Sequence, residues 1–204
     1  MRFTLPLFTL LLTLLFACGS GETTSNETTP PAKVITASTA YTAAESALKG
    51  GKGAAEVSKL MMDNFNAVSD PNTGALNMAE SREFTRLARE LADKFPGDTA
   101  VAMPFYRSAE VVRAMNDPKR AAAIYKDVHE RFPTFSKAPE AMFMLAFTYD
   151  EDLKNFDAAK ATYTEFLAKY PTHSFADDTE MLLKNLGKSD EEILKELEEK
   201  TQKQ

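Results

Sequence analysis

AAAIYKDVHERFP (residues 121–133) and AAKATYTEFLAKYP (residues 158–171) are two copies of one pattern. Ala121, Tyr125, Val128, Phe132 and Pro133 match Ala159, Tyr163, Phe166, Tyr170 and Pro171, with apolar steps of four, three and four residues. Those steps trace one face of a helix. Upstream, Phe84, Ala88, Leu91 and Phe95 keep the same steps before Pro96, so aromatic-Pro marks recur at Pro96, Pro133 and Pro171, 37 and 38 residues apart. A period of that size holds two helices, and a single pair cannot bury its own apolar face, so neighbours must stack. The expected fold is all-α: an α-solenoid of antiparallel helix pairs, in three to four units.

The helices follow from local signals. A short Ala-rich helix over 38–49 ends at Gly50 and Gly51, and a first pair covers 54–68 and 75–95 around the turn-forming DPNTG at 70–74. The second pair spans 100–115, with Pro104 tolerable in its first turn, and a partner opened by Asp117 as N-cap and Pro118 at the first helical position. The third spans 140–149 and 156–170, with the extra residue of the longer period expected in the connection at 150–155. Beyond Pro171 come a first helix at 174–186, stopped by Gly187, and a polar last helix opened by the capping box of Ser189 and Glu192.

The chain begins with one basic residue, Arg2, and an apolar run over 3–16, which suits the core of an export signal better than a membrane span. The one cysteine, Cys18, closes that run, so no internal disulfide can form. Residues 15–18, Leu-Phe-Ala-Cys, resemble a bacterial lipobox, with Phe16 larger than the residue usual there. The resemblance implies a signal peptide over 1–17, lipidation at Cys18 and membrane attachment by acyl chains alone. Residues 18–36 read as the lipidated N-terminus and a tether, since GSGETTSNETTPPAK at 19–33 has almost no apolar side chain to repay ordering. Residues 37–204 then form the helical domain.

The Ala/Tyr/aromatic-Pro pattern, preceded by Phe105, Ala109 and Val112 in one unit and by Met142, Leu145, Ala146 and Tyr149 in the next, resembles tetratricopeptide repeats over residues 98–187. The units run a few residues longer than that family's, and bulky Val128 and Phe166 stand where it carries small residues. Such repeats behind a lipobox resemble two bacterial envelope groups: the lipoprotein subunit of the β-barrel assembly machinery and the repeat module of the Tol–Pal-associated periplasmic protein. The resemblance implies a non-catalytic scaffold of the cell envelope, anchored in the outer membrane facing the periplasm. It also implies that first helices line a concave face holding a partner protein or peptide. The first-helix side chains not needed against the partner helix are Met103, Tyr106, Glu110, Arg113, Phe143, Phe147, Asp150, Met181 and Asn185. They are the expected partner-binding residues.

Catalytic chemistry finds little support. His129 and His173 sit at aromatic-Pro corners away from any cysteine, and no phosphate loop or nucleophile motif is present, so no cofactor and no metal are expected. Loss of Arg2 with a signal peptide leaves 23 basic against 30 acidic residues, which opposes binding to nucleic acid. A sugar- or small-ligand-binding surface lipoprotein is the alternative function, and the absence of tryptophan weakens a carbohydrate platform. The anchor is tested directly: Cys18→Ser is expected to abolish palmitate labelling and move the protein from the membrane to the soluble fraction. Wild-type protein that takes up no label and fractionates like the variant excludes it.

Overall fold

The computed structural model describes residues 40–201. Cys18, the export signal, the tether and the start of the first expected helix lie outside them. Within the described residues the chain forms helices α1 (Thr42–Lys49), α2 (Ala54–Asp63), α3 (Met78–Lys94), α4 (Ala102–Ala114) and α5 (Pro118–Arg131). Next come α6 (Ala138–Phe147), α7 (Phe156–Lys169), α8 (Ala176–Asn185) and α9 (Asp190–Thr201). From α3 to α8 each helix packs on the next, as an α-solenoid requires. Helices α2, α4, α6 and α8 are the first helices of successive units, and α3, α5 and α7 their partners. Among the described residues no helix is long and apolar enough to cross a membrane.

Two element boundaries depart from the sequence reading. The helix expected over 54–68 stops at Asp63, and a 3₁₀ turn, Phe65–Val68, carries the chain on. The helix expected from residue 75 starts at Met78, because the Asn77 side chain accepts from the backbone N–H groups of Ala79 and Glu80. Residues 75–76 are diverted by a bridge between Ser69 and Leu76.

The three aromatic-Pro corners are copies of one another. Phe95, Phe132 and Tyr170 end their helices with φ/ψ of −125/66°, −127/58° and −133/54°. At each corner the aromatic N–H bonds back four residues, to Leu91, Val128 or Phe166. Its carbonyl accepts from the residue three further on, Asp98, Phe135 or His173. That residue's carbonyl accepts in turn from Val101, Ala138 or Ala176 at the start of the next first helix. The physical cause is the following proline, whose ring pushes the preceding residue out of the helical region and supplies no N–H to continue the ladder.

The return turns also repeat. Asn116 (φ 62°) and Lys154 (φ 48°) adopt the left-handed conformation just before the N-caps Asp117 and Asn155, whose side chains accept from Arg120 and Ala158 N–H. Gly187 (φ 75°) takes the same conformation after α8. The spacing from corner to N-cap nevertheless grows from 16 residues (Val101 to Asp117) to 17 (Ala138 to Asn155). A π turn, Thr148–Asp152, absorbs the extra residue, with Leu153 N–H reaching back to Thr148 O at 3.0 Å. Single inserted residues in helices are commonly accommodated this way. The insertion thus sits at the end of the first helix, beginning two residues before the 150–155 connection expected and overlapping it.

The apolar faces meet as the repeat demands. Ala121, Tyr125, Val128, Phe132, Ala159, Tyr163 and Phe166 are all buried. Phe105 lies between two guanidinium groups, Arg89 at 5.0 Å and Arg131 at 5.4 Å from its ring centre. Arg131 also donates to Ala92 O at 2.6 Å, closing the end of α3, much as Lys94 donates to Leu48 O at the end of α1. His129 Nδ1 donates to Ala138 O at 3.1 Å and His173 Nδ1 accepts from Phe175 N–H at 3.2 Å, so both histidines brace corners.

Ala159→Leu is expected to destabilise the domain by roughly 1–3 kcal/mol through overpacking. Tyr163→Ala should cost at least as much through its cavity. Tyr163→Phe should cost less than Tyr163→Ala, because it keeps the buried ring and removes only the hydroxyl that faces the Asp150 carboxyl. Urea midpoints compared with a change at exposed Lys160 check all three.

Candidate functional site

A groove of about 490 Å³ opens between first helices α4 and α6. Glu110, Arg113 and Ala114 of α4 form one wall, Met144 and Asp152 the other, and Tyr125 of α5 lies at the back. The π turn places Asp152 here. Its carboxylate pairs with Arg113, Nε and Nη2 both donating, and the same guanidinium lies 5.0 Å from the ring centre of Phe147. That pairing holds the Arg113 charge more firmly than in free arginine. The Glu110 carboxylate accepts from Arg107 at 2.7 Å and from the Tyr106 hydroxyl.

Tyr125 is fully buried, and its hydroxyl has no hydrogen-bond partner among the described residues. Burial, then the nearby Glu110 carboxylate, pushes its phenol well above the ordinary range. A buried polar atom without a partner costs free energy that a bound group with a donor or acceptor would recover.

The expected partner-binding residues divide into three sets. Glu110 and Arg113 line this groove, and Phe147 supports it through Arg113. Tyr106 and Asp150 do not face a partner, since each is only 5% exposed. The Tyr106 ring packs on Tyr125 at 5.9 Å and Phe135 at 6.4 Å, because the closely paired α4 and α5 leave no open side at that position. Asp150 is turned inward by the π turn, toward Tyr163 of α7. Phe143 joins an aromatic cluster with Phe147, Tyr163, Phe166 and Phe175, the last at 4.6 Å, and is therefore half-covered by the start of α8. Met103 and Asn185 are half-buried outside the groove, and Met181 is 57% exposed on α8.

Tyr125, Met144, Ala114 and Asp152 were not among the expected residues. Tyr125 reads as a member of the apolar stripe, and only its hydroxyl, which an apolar contact cannot satisfy, hints at a polar edge. Asp152 belongs to an acidic run that reads as a helix connection. A second opening of about 520 Å³ lies on the opposite side, between α5 and α7, with Met142, Leu145 and Tyr149 as its floor and Lys126, His129 and Glu165 at its rim.

A sequence profile of the tetratricopeptide repeat matches residues 140–173, from α6 through the π turn and α7 to the third corner. No curated protein and no solved structure gives a match. The stacked pairs and repeated corners make this an all-α helical-repeat domain, and the match makes its third unit similar to a tetratricopeptide repeat. Repeats of this kind generally mediate protein–protein interaction and are typically non-catalytic.

The buried Asp150 gives the π turn a measurable pH signature. Burial first, and then Glu151, raises its carboxyl above the usual range, against an opposing pull from Lys154 and the Tyr163 hydroxyl. A raised carboxyl contributes stability in its protonated form, fully present below the unfolded value of about 3.9 and lost as pH rises through the folded value. Asp150→Asn is therefore expected to raise Tm at pH 7, with the gain shrinking as pH falls toward about 3. Thermal melts across that range check it, and a gain that grows on acidification contradicts it.

Proposed function

We propose that this protein is a non-catalytic interaction scaffold of the bacterial cell envelope. It holds a partner protein or peptide in the groove between α4 and α6. Attachment to the membrane is through an acylated Cys18, and the helical domain faces the periplasm from the outer membrane, with a role in outer-membrane protein assembly or envelope maintenance. The observation that carries the binding reading is the buried, unpartnered Tyr125 hydroxyl at the back of a groove lined by first helices. The lipobox-like residues 15–18 and the polar stretch at 19–33 support the envelope address.

The groove reading is tested by position. A photo-crosslinking amino acid placed at exposed Ala114, on the groove wall, is expected to trap one partner in envelope extracts or in cells. The same group at Ala123, exposed on α5 and outside the groove, should not trap it. Equal trapping at both positions moves the site elsewhere.

A further inference from the structure

We infer that the groove between α4 and α6 takes a lysine side chain of the partner; this rests on the groove being the interaction site. The lining carries Glu110, Asp152 and Arg113, a net negative set, and the positive member is already spent on Asp152 and the Phe147 ring. What remains open to a ligand is acceptor capacity. The Glu110 carboxylate has lone pairs beyond its bonds to Arg107 and the Tyr106 hydroxyl, the Asp152 carboxylate has lone pairs beyond those taken by Arg113, and the Tyr125 oxygen has no partner. An ammonium group presents three donors and no acceptor, which matches three acceptors drawn from α4, α5 and the π turn.

The rest of the cavity suits the stem of that side chain. Met144 and Ala114 give apolar walls along which a four-carbon chain can lie, while the charged head reaches the polar end. A carboxylate-bearing partner meets the opposite situation. Arg113 would have to leave Asp152, and Glu110 and Asp152 would face the incoming charge. A guanidinium in place of the ammonium would bring planar, forked donors to acceptors spread over three elements, a poorer match than a compact head with rotatable donors.

The test uses random peptides displayed on phage and panned against the full chain. Lysine is expected at one fixed position of the recovered peptides. A fluorescent copy of a selected peptide should lose about tenfold or more in affinity when that lysine is acetylated, since charge-assisted hydrogen bonds are lost. Glu110→Gln should weaken the unmodified peptide and leave the acetylated one unchanged, with circular dichroism confirming the fold. Tyr125→Phe should weaken the same peptide without lowering Tm. Ala114→Trp, which fills the groove from its rim, should abolish binding. Peptides that are blocked by Ala114→Trp yet carry no fixed lysine, or bind equally well when acetylated, overturn the lysine inference and leave the groove reading standing. Peptides indifferent to Ala114→Trp overturn both.

Discussion

The geometry of this domain depends on what a proline does to the residue before it. At Phe95, Phe132 and Tyr170 the helix cannot continue, and the backbone leaves helical φ/ψ at nearly the same dihedrals each time, with the Phe132 ring buried and those of Phe95 and Tyr170 half-buried. Because the three corners share one hydrogen-bond pattern, the last bonded residue of each, Val101, Ala138 or Ala176, comes six residues after its aromatic and leads into the next first helix. Stacking then follows from phase. Interactions spaced by about one repeat tie the units: Arg89 to Asp127, Arg131 to Asp93 and to the Ala92 carbonyl, and Arg113 to Asp152. The ion pairs among these are at least partly exposed and worth little individually. Their placement records the register more than it creates it.

Against that regularity, one inserted residue generates the chemistry. The π turn at Thr148–Asp152 leaves the corners and N-caps of the third unit undisturbed, yet it swings a run of three acids through the end of α6. One of them, Asp150, is buried, and another, Asp152, crosses to Arg113 on the preceding first helix. The groove therefore owes its acidic wall to a local break in the helix that the repeat itself does not contain.

How far the sequence could be read follows from the same contrast. The corners, the N-caps at Asp117 and the capping box at Ser189, and the buried stripe were all legible, because each depends on residues within a few positions of one another. The 3₁₀ break at Phe65 and the late start at Met78 were not, because the Ser69 to Leu76 bridge competes for the intervening backbone. Of the residues that helical spacing offered for a partner, Glu110 and Arg113 line the groove and Phe147 lies against Arg113, while Tyr106 and Asp150 are buried. A period of 3.6 residues says which side chains share a face, not which of them a neighbouring helix will cover. The Tyr125 hydroxyl escaped for the complementary reason, since a tyrosine on an apolar stripe reveals nothing about where its oxygen ends.

Helix α6 has apolar side chains all around, and they serve two masters. Ala141 and Leu145 belong to the large apolar cluster that runs back to Tyr41, whereas Ala146 and Phe143 belong to a smaller one with Ala159, Tyr163 and the leucines of α8. Between α5 and α7 the Lys169 ammonium is attracted by Glu130, but among the described residues no ion pair as close as those binding α3 to α5 joins the two helices. Loss of the smaller cluster thus leaves the larger one whole, so α7 and α8 can detach as a sub-global opening while the groove's α4 and α5 stay folded. A partner seated across α4 and α6 would act as a splint over that seam, slowing amide exchange in helices it never touches.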